Sequence, residues 1–141
     1  MCAAVRCLST GQSFSIQRCI AQKDVDTFVH LTGDSNPIHS ENTRQLPDQQ
    51  GANQSDQAVV PGMMMASLFP AIIGSKFPGA LYLSQTLKFR QPAVVGTSVL
   101  ATVTVAKQSG SRVTFDTVCQ DSNGRILVDG SALALIKPPA C

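Results

Sequence analysis

The sequence predicts an α+β domain in which an antiparallel sheet of about five strands wraps around one central, buried helix. Two observations carry this. The second half alternates apolar and polar residues in four runs, 81–90, 98–108, 112–121 and 125–137, the period of half-buried strands. Ahead of them, residues 63–73 read Met-Met-Met-Ala-Ser-Leu-Phe-Pro-Ala-Ile-Ile. That stretch is apolar on nearly every side of a helix, so it is predicted to be enclosed by the sheet. One strand and one helix in the first half complete a single core.

Taken in order, residues 14–20 place Phe14, Ile16, Arg18 and Ile20 on one face and Ser15, Gln17 and Cys19 on the other, as a strand does. Residues 23–31 bring Val25, Phe28, Val29 and Leu31 near helical spacing, with Asp24 and Asp26 where a helix start favours negative charge. Thr32-Gly33 ends that helix. Asp34-Ser-Asn-Pro-Ile-His39 reads as a turn followed by a short helix, with Asn36 capping and Pro37 in the first helical position. Residues 40–57 are polar and form a surface loop. Gly62 is predicted to open the buried helix and Gly74 to close it, while Pro70 should kink or shorten it. Pro92, Gly96 and Gly110 separate the later strands, and Asn123-Gly124 between two alternating runs signals a hairpin.

Composition excludes several function classes. With 43% hydrophobic and 14% charged residues the 141-residue chain is not a solvated disordered segment. A net charge of +2 is too weak to propose nucleic acid as a partner. The longest apolar run is interrupted by Ser67 and Pro70 and falls short of the roughly 18 residues of a membrane span, so none is expected. Cys2, Cys7, Cys19, Cys119 and Cys141 form no C-x-x-C pair, and only His30 and His39 could join them, so no metal site is expected. An odd, scattered set of thiols fits a reducing compartment. No acid precedes Asp24, while Arg6, Arg18 and several hydroxyl residues do. Residues 1–12 therefore read either as a short targeting leader or as a ragged approach to the first strand, ahead of one domain over 13–138.

Two histidines leave a short search for acid–base chemistry. His30 lies between Val29 and Leu31 in the predicted helix and reads as structural. His39 follows Asp34 by five residues, with Gly33, Asn36 and Pro37 fixing the backbone around and between them. That arrangement can aim a carboxylate and an imidazole into one cleft. The same residues also make a well-capped turn.

Residues 28–39, Phe-Val-His-Leu-Thr-Gly-Asp-Ser-Asn-Pro-Ile-His, resemble the hydratase 2 motif of the MaoC-like hot-dog family, the (R)-specific enoyl-thioester hydratases. Residues 59–67, Val-Val-Pro-Gly-Met-Met-Met-Ala-Ser, are similar to the family's second element, the start of its central helix. Within the family the likeness is nearest to the mitochondrial type 2 3-hydroxyacyl-thioester dehydratases, short chains with Phe-Pro-Gly and Leu-Ser-Gln segments in the position of residues 77–85. This sequence departs from the pattern at Gln45, where Ala or Ser is usual, in the length of the 40–57 loop, and at Pro61, where many relatives have His.

The resemblance implies a hot-dog fold and reversible loss of water from a (3R)-3-hydroxyacyl thioester, giving the trans-2-enoyl thioester. It makes Asp34 and His39 the proton-handling pair and the backbone N–H of Gly62 the donor to the thioester oxygen, helped by the dipole of the buried helix. Asn36, Pro61 and Met63 become the expected substrate contacts. No metal and no cofactor is expected. The partners it implies are an acyl-carrier-protein or coenzyme A thioester and a second copy of the chain in a homodimer. Location in the mitochondrial matrix, in fatty acid synthesis, follows from the nearest likeness. An (R)-specific enoyl-CoA hydratase of β-oxidation or polymer synthesis, a thioesterase of the same fold and a non-catalytic acyl-binding scaffold stand as alternatives. Six of the nine acids lie between Asp24 and Asp56, leaving a basic remainder that could steer an acidic carrier.

Overall fold

Alternation in the second half does produce strands, but their order in space differs from their order in the chain. The structure, a computed structural model, describes residues 8–40 and 57–137. It contains β1 (Ser13–Cys19), α1 (Gln22–Thr32), a 3-10 turn (Pro37–His39), α2 (Gly62–Ala66), α3 (Leu68–Lys76), β2 (Leu81–Phe89), β3 (Ser98–Ser109), β4 (Arg112–Asp121) and β5 (Ile126–Leu135). The strands form one five-stranded antiparallel sheet in the order β1-β3-β4-β5-β2. Thus β2 lies at one edge, and the segment 90–97 carries the chain back across to β3. Residues 1–7 of the expected leader, 41–56 of the polar loop with Gln45, and residue 138 at the expected domain end lie outside the described residues. Before β1, Gly11 N–H donates to Val105 O (2.7 Å) and Val105 N–H to Gln12 O (2.8 Å), so the sheet already holds the chain there.

One face of the sheet supplies the core. Val99, Ala101, Val103 and Val105 of β3 and Val113, Phe115 and Cys119 of β4 are all buried, at every second position as the strand period requires. They share a cluster with Met65 of α2, with Phe69, Ile72 and Ile73 of α3 and with Val25 of α1. Phe77, just past α3, packs edge-on against Phe14 of β1, with ring centroids 5.4 Å apart. Thr117 is the polar exception on this face. Its hydroxyl accepts from Gln85 Nε2 at 3.0 Å, and the Gln85 carbonyl oxygen in turn accepts from Tyr82. Burial pushes the Tyr82 phenol up to about 12 and the Cys119 thiol up to about 11.

The expected effect of Pro70 on the buried helix is present, and three other local expectations need correction. The buried helix is two helices, α2 and α3, meeting at Ser67 (φ −62°, ψ −18°). Pro70 explains the break, because it has no N–H for the Ala66 carbonyl and its ring crowds that carbonyl. Gly74 lies inside α3 and does not close it; the helix ends at Phe77, whose N–H donates to Ile73 O (2.9 Å), ahead of Pro78-Gly79. The helix pair is not enclosed on all sides, since Met63 is 58% exposed and Ser67, Ala71 and Gly74 also face outward. Leu31, expected on the packed face of α1, is 82% exposed, because at about 100° per residue it lies well round the helix from Val25 and Val29.

Asn123-Gly124 does join two strands, through a loop closed by Asp121. The Asp121 carboxylate accepts the N–H groups of Asn123 and Arg125 (both 2.9 Å), and Gly124 takes the left-handed conformation (φ 79°). Among the described residues, no helix is long and apolar enough to cross a membrane.

Candidate active site

The site is built from three short segments, 33–39, 58–62 and 93–95, which meet at one end of the sheet. Gly33 makes the first possible. It is left-handed (φ 75°) and donates its N–H to Val29 O (2.9 Å), ending α1 and reversing the chain. The next residues saturate their own backbone. Asp34 N–H donates to Thr32 Oγ1 (3.2 Å), Asp34 Oδ1 accepts from Asn36 N–H (2.9 Å), and Asn36 Oδ1 accepts from Ile38 N–H (3.3 Å). Asn36 thus caps the 3-10 turn, as its position before Pro37 predicts.

The turn delivers His39 to the interior while Asp34 stays near the surface. His39 is 9% exposed. Its Nε2 stands 3.4 Å from Asp34 Oδ2, so the predicted pair is brought together. On the other side of the ring, Nδ1 lies 2.7 Å from Val59 O. A carbonyl can only accept, so Nδ1 carries the hydrogen. When the ring is neutral, Nε2 presents its lone pair toward the carboxylate. Two acceptors face each other at a spacing that a water or hydroxyl group donating to both would bridge.

Val59 fixes this geometry through its main chain. Extended backbone points successive polar groups to opposite sides, and residues 58–60 use both. Toward the turn, Val59 N–H donates to Ile38 O (2.8 Å) while its carbonyl holds the His39 ring. Away from it, Val60 N–H donates to Ala93 O (2.8 Å) and Val95 N–H to Ala58 O (2.8 Å). The crossover segment that leads from β2 to β3 thereby becomes the floor beneath the histidine.

Two residues past Val59, buried Pro61 precedes α2 and both Met64 and Met65 N–H groups fold back onto its carbonyl (3.0 and 3.3 Å). The N–H groups of Gly62 and Met63 have no helical partner, as at any helix start. The structure changes the argument for the glycine. A Cβ at Gly62 would lie 2.5 Å from Cδ1 of Phe89, so the room left by the missing side chain holds that ring. The five-residue length of α2 also makes the local N–H groups, and not a long helix dipole, the usable positive charge. Met63 is mostly exposed beside them, and His30 is exposed in the last turn of α1.

Three contributors were not foreseen from sequence. Val59 acts through backbone atoms that every residue type carries. Phe89 looks like one more strand residue. Gln22 donates its side-chain amide to His39 O (2.9 Å) from 17 positions away, and nothing local marks a polar residue at a helix start as a partner of the site.

No protein-family model matches the chain. Among characterised proteins it is 35% identical over 138 residues to "3-hydroxyacyl-[acyl-carrier-protein] dehydratase FERN, mitochondrial" of Solanum lycopersicum, covering 95% of this chain and 81% of that one. It is 32% identical over 133 residues to the (R)-specific enoyl-CoA hydratase of Rhodospirillum rubrum, covering 92% and 88%. Among solved structures, the (R)-hydratase of A. caviae involved in PHA biosynthesis superposes with a TM-score of 0.80 at 28% identity, over 92% of this chain and 97% of that one.

Proposed function

Because the chain belongs to the MaoC-like hot-dog family of (R)-specific enoyl-thioester hydratases and 3-hydroxyacyl-thioester dehydratases, we propose that Asp34 and His39 move the protons as water is added to, or lost from, its acyl thioester. The enzyme is a hydro-lyase. In the hydration direction, water bridges Asp34 Oδ2 and His39 Nε2. Its oxygen bonds to C3 of the enoyl chain as one of its hydrogens passes to the pair. The double-bond electrons move to the thioester oxygen, where the N–H groups of Gly62 and Met63 meet the developing charge. Return of the proton to Cα completes the addition, and dehydration is the reverse. An imidazolium formed on the way sits 3.4 Å from the Asp34 carboxylate. Asn36, Pro61 and Met63 lie around this path as substrate contacts.

The observation that carries this reading is the His39 ring held at Nδ1 by Val59 O, with Nε2 directed at Asp34. Crotonyl-CoA tests it: the enoyl-thioester absorbance should fall on adding enzyme, and chiral analysis should find (3R)-3-hydroxybutyryl-CoA. A product of the 3S series would contradict it.

The carrier in this proposal is acyl carrier protein, in the mitochondrial matrix. The tomato relative's name supports that carrier and a mitochondrial location, and exposed Lys88, with Arg90 and Arg125 paired to Asp129 (3.2 Å) and Asp121 (3.0 Å), offers positive charge to an acidic carrier. The Rhodospirillum relative, named for a coenzyme A substrate, favours the other carrier. Catalytic efficiency on matched carrier-protein and coenzyme A substrates, with its salt dependence, decides between them, and a C-terminally tagged chain reports the compartment.

The assembly is a homodimer in the same proposal. Edge strand β2 exposes Leu81 (58%), Leu83 (40%) and Phe89 (55%), and Met63 of α2 is also exposed. An edge of that kind invites pairing with a second copy. Analytical ultracentrifugation at micromolar concentration should show twice the chain mass.

A further inference from the structure

Gln22, the first residue of α1, has a side-chain amide whose nitrogen serves two partners: the main-chain oxygen of His39 (2.9 Å) and Oδ1 of Asp26 one turn along the helix (2.9 Å). Both partners are acceptors only, so the amide orientation is forced: the NH₂ group must face them and its two hydrogens are both used. The start of α1 is itself anchored, because the Asp24 carboxylate accepts from Ala21 N–H (3.0 Å). Gln22 therefore ties a fixed point at one end of α1 to the far end of the segment that Gly33 begins at the other. Residues 33–39 run back along the helix and are pinned at both ends.

We propose that Gln22 is a positioning residue for His39, acting as an obligatory hydrogen-bond donor to its carbonyl. The proposal rests on the catalytic reading of His39 given above. The Val59 carbonyl fixes the rotation of the ring, whereas Gln22 fixes the main chain from which the ring projects. Without that restraint His39 keeps its N–H bond to Asn36 O (3.2 Å) and the Val59 bond to Ile38 O (2.8 Å) but loses the hold on its own carbonyl, so its Cα can shift and Nε2 moves relative to both Asp34 and the reacting water. Proton transfer is sensitive to such displacements, since errors near 1 Å can cost up to about 100-fold in rate. Substrate contacts made elsewhere do not depend on this bond, so the effect falls on kcat and spares KM.

The test separates donor chemistry from shape. Gln22→Glu is nearly isosteric but sets a carboxylate against two acceptors; kcat for crotonyl-CoA hydration should fall about tenfold with KM within about twofold. Gln22→Lys restores a donor for both partners and should retain most of the wild-type kcat. Asp26→Ala, which removes only the second acceptor of the amide, should lose about two- to threefold and guards against a Glu variant that folds poorly. A second readout needs no turnover. The imidazole ¹⁵N spectrum of the wild type should show His39 as the Nδ1–H tautomer, and Gln22→Glu should shift those signals while Gln22→Lys leaves them near their wild-type positions. If the wild type hydrates no thioester, the catalytic reading fails while the spectrum still decides the positioning role. An unchanged kcat and spectrum in Gln22→Glu, or a Lys variant as impaired as the Glu variant, would overturn the proposal.

Discussion

Between β4 and α3 the molecule is held by side chains: Phe115, Phe69 and Ile73 are at most 1% exposed and belong to one apolar cluster. Around His39 it is held by main chain and short polar side chains: Val59 N–H and C=O, the Ile38 carbonyl, the Asp34 and Asn36 oxygens, and the Gln22 amide. The first region draws its stability from apolar area removed from water, which is large and indifferent to angle. The second gains little from area and much from direction, because hydrogen bonds weaken steeply when misaligned. Substitutions in the two regions should therefore fail differently, the first in stability and the second in turnover.

The largest effect expected in the polar region is on rate. Asp34→Asn and His39→Ala should each lower crotonyl-CoA hydration by about 10²–10⁴-fold, the range for loss of one proton-transfer group. Circular dichroism should find both variants folded, since Asp34 has a side chain 37% exposed and Asn can still accept the Asn36 N–H. In the apolar region the counterpart is Phe69→Ala, expected to cost about 3–5 kcal/mol in urea unfolding. Under conditions where that variant remains folded, its kcat should stay close to wild type. A Phe69 variant that is stable but inactive would erase the distinction.

Gly33→Ala sharpens the boundary between the regions. No atom would touch the added Cβ, so any cost comes from backbone alone, at φ 75°. Thermal melts should register about 1 kcal/mol, and kcat should fall several-fold because the turn that carries Asp34 begins there. Smallest is a chemical contrast within the sheet. Burial raises the Cys119 thiol to about 11, which leaves on the order of one thiolate in a thousand at pH 8. Raising the pH increases that fraction. Peptide mapping after brief iodoacetamide treatment at pH 8 should find exposed Cys19 alkylated well before Cys119.

What the sequence revealed follows the same division. Alternation over 98–121 identifies β3 and β4 because each buried position is read from its own residue type. It does not place β2 at the sheet edge against β5, since strand order depends on the crossover at residues 90–97 and on contacts far apart in the chain. Gly74 misled for a related reason: an isolated glycine resembles a helix stop, whereas the packing of Ile72 and Ile73 carries α3 on to Lys76. At the site, the turn through Asp34, Asn36 and His39 was legible because its geometry is made within six residues, whereas the roles expected of them came from the resemblance. Val59 and Gln22 were not legible, one because its contribution is main chain and the other because its partner is distant in sequence.

The claim that Asp34 and His39 act on one water as a single unit meets its sharpest test in the double variant. If they do, Asp34→Asn combined with His39→Ala should be about as slow as the slower single variant, because the first substitution already disables the unit. Measured as kcat for crotonyl-CoA hydration on folded protein, that non-additive loss is the expected result. Losses that multiply, with the double variant slower than either single by the full factor of the other, would show two independent groups and contradict the claim.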